Sequence, residues 1–244
     1  MFYNADLDLS NNNIKQHDTW FDVNNKPLKW NLPFGVLYDS LAKDPQDLPV
    51  CVNVHFKNFP ENTILRYKGY ESFRFYYLNS VKESFTIMLG SSKEILNLST
   101  KDTNRLLDIA VCPKNKSKEY FDLYNKLLEP LMLKLDDFDE VDKNTTNTIK
   151  TNFVFPIKFV FNNNDIILTK PYDIEEHGVD CLLVEFIAKV FDNSVSERII
   201  NGIDNNTCKI YICSIEFDLM TPVAFLAVNF SYLDFSTYII INEE

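Results

Sequence analysis

The side chains of this sequence with the most chemical potential are its cysteines, its histidines and its adjacent carboxylate pairs. The 5 cysteines are Cys51, Cys112, Cys181, Cys208 and Cys213. Their number is odd and none forms a C-x-x-C pair, so neither a disulfide framework nor a zinc site is expected. A cysteine hydrolase needs a thiolate beside a histidine. Of the histidines His17, His55 and His177, His55 lies in an apolar strand-like run and His177 in a polar turn before a helix, and both read as structural. The pairs Asp136-Asp137 and Glu175-Glu176 fall in polar stretches and read as solvated surface rather than as an acid/base couple. The 5 glycines form no phosphate-binding loop. No cofactor, no metal and no enzymatic activity of the chain's own are expected.

Composition narrows the partners. The chain has 244 residues, 45% of them hydrophobic and 14% aromatic, enough for two or three modules with real cores. A formal charge of -11 repels phosphate backbones, so direct nucleic-acid binding is not expected. The same charge opposes docking on an anionic membrane, and attachment there would need a partner. The start MFYNADLDLSNNN is acidic and is not expected to act as a signal peptide. No stretch approaches the roughly 18 apolar residues of a membrane span. Reduced thiols and these absences suggest a soluble intracellular protein.

The elements that would position any site follow from periodicity. Trp20 to Val23 and Leu28 to Trp30 are strand-like runs around the turn cluster Asn24-Asn25-Lys26-Pro27. Pro33 opens a short helix from Phe34 to Leu41, and Cys51 to Phe56 alternates as a strand. From Arg74 to Leu96 the apolar residues Tyr77, Leu78, Val81, Phe85, Met88, Leu89, Ile95 and Leu96 recur at spacings of three and four, predicting one long helix with one stripe. Thr100 to Ala110 and Ser117 to Leu128 predict two more, the former capped by Ser99 or Thr100. The aromatic density at Phe73 to Tyr77 fits either bundle core or a groove for a partner helix.

Asp136 to Asn152 is polar, acidic and rich in Thr and Asn, and predicts a linker. Beyond it, Phe153 to Phe161 and Asp165 to Thr169 are strand-like around Asn162-Asn163-Asn164. A helix is predicted over Val179 to Phe191, a strand over Lys209 to Ile215, a helix from Pro222 to Phe230 and a last strand over Thr237 to Ile241. Cys208 and Cys213, at odd separation in one strand-like run, should face opposite sides. The expected fold is α+β: two ubiquitin-like β-grasp modules, the first incomplete, flanking a helical bundle. The expected boundaries are 1–61, 62–135, a linker at 136–152, and 153–244.

Three stretches carry a resemblance. WFDVNNKPLKWNLPFGVLYDSL (Trp20 to Leu41) contains a Pro-x-x-Trp-x-x-Pro-x-Gly element running into a short helix, followed by VNVHFKNFPE (Val52 to Glu61). YICSIEFDLMTPVAFLAVNFSYLDFSTYIII (Tyr211 to Ile241) forms a strand, helix and strand with a Thr-Pro start. Between them lie NSVKES and GSSKEILNLS (Asn79 to Ser99). This ordered set resembles the autophagy protein 5 family across most of Trp20 to Ile241.

The resemblance implies a non-catalytic scaffold in the cytoplasm, peripheral on the preautophagosomal membrane. Such a scaffold receives the ubiquitin-like modifier autophagy protein 12 through an isopeptide bond, binds autophagy protein 16, meets the conjugating enzymes autophagy proteins 10 and 3 transiently, and stimulates lipidation of autophagy protein 8. By position in NSVKES the acceptor would be Lys82, with Lys93 as competitor. Helical geometry places Lys82 about 70° and Lys93 about 90° from the centre of the apolar stripe. A lysine there lays its stem over the groove and keeps its amine in water, although on residues alone any surface lysine fits that description. Glu83 is adjacent, but no dedicated base is evident.

The family's first module opens with elements that Met1 to Thr19 do not display. The expectation is half a fold with an apolar face and strand edge uncovered, either from a truncated start or from a trimmed module that a partner completes. That leaves a second functional expectation open, a noncovalent adaptor for the same modifier.

Overall fold

A computed structural model describes residues 18–41, 50–111, 118, 122–127, 153–162 and 166–243. The linker expected at 136–152 lies outside the described residues, as do His17, Cys112 and Asp136-Asp137.

Strands β1 (Trp20–Val23) and β2 (Lys26–Pro27) form a hairpin around Asn24 and Asn25, whose φ values of 52° and 63° are both positive. A two-residue hairpin turn of matching twist demands that sign at both positions, and asparagine tolerates it. The second strand is therefore earlier than the expected Leu28 to Trp30. Its last rung is the Leu28 N–H to the Phe21 carbonyl at 2.8 Å. Trp30 leaves the ladder, its indole N–H donating to the Leu65 carbonyl at 2.6 Å. Strand β3 (Asn53–His55) pairs antiparallel with β1, giving the order β2-β1-β3. Helix α1 (Phe34–Leu41) lies between them in sequence and buries Val36 completely.

Helix α2 (Tyr70–Leu89) stops short of the expected Leu96. Gly90 takes a left-handed φ of 73°, which ends a helix at little cost only for glycine. Lys93 consequently sits on a separate four-residue helix, α3 (Lys93–Leu96), and not on the helix of Lys82. Helix α4 (Thr100–Val111) is capped by Ser99, whose hydroxyl oxygen accepts the Asp102 N–H at 3.0 Å. The helical stretch α5 is described over 122–127. Val81, Phe85 and Met88 of the expected stripe pack with Ile95, Leu106, Leu123 and Leu127.

The C-terminal part comprises β4 (Val154–Phe161), β5 (Ile166–Asp173), α6 (Ile174–His177), α7 (Leu183–Val190), α8 (Asn193–Asp204), β6 (Cys208–Ile212), β7 (Ile215–Glu216), α9 (Val223–Asn229) and β8 (Thr237–Glu243). Its sheet has the order β5-β4-β8-β6-β7, with β4 and β8 parallel at the centre and the other pairs antiparallel. A first and a last strand lying parallel between two hairpins is the ubiquitin-like β-grasp arrangement, so the expected α+β fold class holds. Helix α7 starts later than the expected Val179, where the Glu185 side chain accepts the Leu182 N–H at 3.0 Å.

Helix α8 was not expected. Its signal was present in Asp192, whose carboxylate caps the Val195 N–H at 2.9 Å, and in Val195, Ile199 and Ile203 at intervals of four. The run to Ile215 is also not one strand. Cys213 and Ser214, with φ of 51° and 65°, turn it into the β6–β7 hairpin. Cys208 is buried and Cys213 exposed because one is in the strand and the other in the turn, not because they face opposite sides of one strand.

Strand alternation explains how the parts dock. Ile157, Phe159, Phe161, Ile210, Ile212, Ile239 and Ile241 face α7 and α9, in a core with Leu183, Phe186, Ile187 and Leu226. The alternate residues Val160, Tyr211, Tyr238 and Ile240 face the other way and pack on Val36 of α1. Asp39 of α1 completes that contact by accepting the Ser214 N–H at 2.8 Å and its hydroxyl at 2.7 Å. Phe235, from the segment before β8, enters the helical core, stacked on Tyr124 at 5.1 Å and edge-on to Phe85 at 5.0 Å. Its φ of 65° turns the chain far enough to insert it.

Candidate functional site

Helix α2 is tethered along one face by the segment before β8. The Tyr77 hydroxyl donates to the Leu233 carbonyl at 2.9 Å, the Ser80 hydroxyl donates to Asp234 Oδ2 at 2.6 Å, and the Ser84 and Ser236 hydroxyls meet at 2.8 Å. Residues 77, 80 and 84 recur at three and four, so one helical face meets one loop.

Lys158 of β4 joins this contact from beneath. Its ammonium donates to Ser80 Oγ at 2.9 Å and pairs with Asp234 Oδ2 and Glu83 Oε2, each at 3.4 Å. The Lys158 and Asp234 side chains are 7% and 6% exposed. A lysine has three protons to donate, and here each has an oxygen, which is the condition for keeping such a charge buried. The Tyr238 hydroxyl donates to Asp234 Oδ2 at 2.8 Å. Burial first, then the Asp234 carboxylate, hold that phenol well above its usual range, so it stays a donor. The sequence reading missed Lys158, Asp234 and Ser80 as a unit. The available signal was Lys158 itself, a cation inside the strand-like run FVFPIKFVF.

Lys82 lies between Ser80 and Glu83 on this helix. It is half-buried, next to the fully buried Val81 and the exposed Glu83. Among the described residues its side chain takes part in no ion pair. Lys93 is exposed on α3.

A cavity of about 320 Å³ opens beside the first half of α2, lined by Trp30, Phe34, Phe73, Tyr76, Tyr232 and Asp234 among others. Tyr67 and Tyr76 stand edge-on to Trp30, both at 5.1 Å. Phe73 and Tyr76 thus line a cleft rather than the bundle core. Phe75 points outward at 62% exposure, and Tyr77 touches both cleft and core.

The cysteines and histidines are not brought together for catalysis among the described residues. Burial pushes the Cys181 thiol up and the Cys208 thiol up to about 11, opposite to the direction an attacking thiolate requires. His55 pairs with Asp22 and stacks on Trp20 at 4.0 Å. His177 ends α6, stacked on Tyr172 at 5.6 Å, beside Glu175 and Glu176 in the first turn of the same helix. Among the described residues no group of three or more His, Cys, Asp or Glu side chains could hold a metal ion, and no helix is long and apolar enough to cross a membrane.

The family model for the autophagy protein ATG5 UblA domain matches residues 2–56, and that for the ATG5 alpha-helical bundle region matches residues 70–130. The first match includes the stretch before Trp20 that carried no readable pattern. Autophagy protein 5 of Oryza sativa subsp. indica is 40% identical over 87 residues, which is 36% of this chain and 23% of the rice protein. The Drosophila melanogaster protein is 31% identical over 46% of this chain and 40% of its own length. These alignments therefore span less than half of the relatives' lengths. Autophagy protein 5 of Debaryomyces hansenii is 25% identical over 95% of this chain and 77% of its own. The crystal structure of Kluyveromyces marxianus Atg5 superposes with a TM-score of 0.63 at 18% identity, covering 92% of this chain and 73% of that one.

Proposed function

This chain belongs to the autophagy protein 5 family, and from that premise we propose that it is an autophagy scaffold which accepts the ubiquitin-like modifier autophagy protein 12 on Lys82. Family membership gives a role in autophagy. The observation that supports Lys82 is its place in the middle of α2, half-buried, with no ion-pair partner among the described residues, on a helix anchored on either side of it. Such a lysine keeps its backbone fixed and its amine available for a thioester. Lys93, on its short separate helix, lacks that anchoring.

On this reading residues 1–61 and 153–244 are the two ubiquitin-like modules and 62–135 the bundle between them. The aromatic cleft beside α2 supports the binding of an amphipathic helix, the role assigned to autophagy protein 16, because its rings offer a pocket for large apolar anchors. The chain supplies no catalytic group. It acts in the cytoplasm and, through its partners, at the preautophagosomal membrane. Autophagy proteins 10 and 3 visit transiently, and the assembly promotes lipidation of autophagy protein 8.

Co-expression with the modifier and its activating and conjugating enzymes tests the proposal. A stable mass increase that Lys82→Arg abolishes and Lys93→Arg preserves is expected. An unchanged mass with the modifier still co-purifying would overturn the covalent reading and leave a noncovalent adaptor.

A further inference from the structure

We infer that Glu83 is a positioning residue for Lys82, acting through the buried Lys158. The inference rests on the acceptor reading above. Glu83 follows Lys82 directly, so its side chain leaves α2 about 100° further round the axis. At 48% exposure it looks like an ordinary surface glutamate, yet both its oxygens are engaged. Oε1 accepts the Thr169 hydroxyl of β5 at 3.4 Å, and Oε2 faces the Lys158 ammonium at 3.4 Å. Ser80, three residues earlier on the same face, receives that ammonium at 2.9 Å. One buried cation therefore grips the helix on both sides of Lys82, and Thr169 ties the outer grip to the sheet.

This arrangement fixes the Cα of Lys82 while leaving its side chain unclaimed by any ion pair among the described residues. It also removes Glu83 from consideration as a base, because its carboxylate is directed at Lys158 and Thr169. In the transfer step the Lys82 ammonium first loses a proton to water. The neutral amine then attacks the thioester carbonyl, a C–N bond forms, the C–S bond breaks, and the departing thiolate takes the amine's second proton. Such an attack requires the reacting atoms at about 3–3.5 Å in the right orientation, so a helix turn free to roll loses rate while still docking.

The test uses the full chain and a conjugating enzyme carrying a fluorescent ubiquitin-like modifier as its thioester, with isopeptide product followed over a range of chain concentrations. Glu83→Ala is expected to lower the thermal midpoint, because the buried Lys158 loses one partner, and, at a temperature where it is still fully folded, to lower the maximal rate about 10-fold, a fraction of what a ~1 Å misplacement costs, with KM unchanged. Glu83→Gln keeps the Thr169 bond and falls between the two. Adding Thr169→Val to Glu83→Ala brings no further loss, because both act through one tether. A Glu83→Ala protein with wild-type maximal rate, beside an inactive Lys82→Arg protein, overturns this inference and leaves the acceptor reading standing. Conjugation that survives Lys82→Arg overturns the acceptor reading itself. A Glu83→Ala defect confined to KM, or one that disappears when rates are corrected for the folded fraction at the assay temperature, makes Glu83 a docking or structural residue and also overturns the inference.

Discussion

The five-stranded sheet β5-β4-β8-β6-β7 is covered on both faces, whereas the three-stranded sheet β2-β1-β3 leaves Phe21 and Val54 44% and 48% exposed. The larger sheet is held by interdigitated apolar side chains. The smaller one is held by a polar hub, in which Asp22 Oδ1 accepts the Asn25 N–H at 3.2 Å and the Asn53 amide at 2.9 Å while Oδ2 pairs with His55. The Trp20 ring closes over His55, and its indole N–H donates to the Lys57 carbonyl at 2.9 Å. Strands of two to four residues bury too little area to hold themselves, so directed polar bonds set the register there. Seven- and eight-residue strands with helices on both sides need no such hub.

The contrast yields predictions of graded size. Phe159→Ala, in the larger sheet, is expected to cost about 3–5 kcal/mol by leaving a cavity in a core that cannot collapse. Urea unfolding gives the value, and a loss under 1 kcal/mol would sink the account of that core. Asp39→Ala unpairs the Ser214 N–H and hydroxyl where α1 meets the β6–β7 turn, at a cost of about 1–3 kcal/mol. Limited proteolysis should then cut within 28–41 before the five-stranded sheet opens.

Asp22→Asn tests the hub through pH. The Asn53 amide foremost, and then His55, hold the Asp22 carboxyl below its usual value. A depressed folded pKa contributes stability that is fully present above the unfolded value of about 3.9 and lost as pH falls through the folded one. The gap in urea midpoint between wild type and Asp22→Asn should therefore shrink as pH drops from 6 to below 3. A gap independent of pH would refute the hub. Smallest of all, Phe21→Ala removes the same ring as Phe159→Ala from an exposed position and should stay within about 1 kcal/mol. Equal costs at the two phenylalanines would erase the distinction between the sheets.

Much of this was legible beforehand, where local rules act. The paired asparagines announced the first hairpin, Pro33 and Pro222 announced helix starts, and the three-four spacing of Val81, Phe85 and Met88 announced the buried face of α2. Two of the failures came from one or two residues that overrode the pattern. Gly90 cut one expected helix into two and separated Lys93 from Lys82, and Cys213-Ser214 folded an expected strand into a hairpin. Asparagine or glycine is a visible punctuation mark, but a cysteine and a serine at positive φ are not.

The sequence by itself determined most of the turns and helix starts, the resemblance to one family, and the position of Lys82 beside an apolar stripe. Periodicity, turn chemistry and motif order are properties of neighbours along the chain, and they survive without a fold. Only the tertiary structure decided that Lys158, Ser80, Glu83 and Asp234 share one charge beneath Lys82, that Phe235 completes the helical core, and that α1 covers the second face of the larger sheet. Lys158 and Asp234 stand 76 residues apart. A buried ion pair becomes visible only when the chain has brought its two halves within reach of one another.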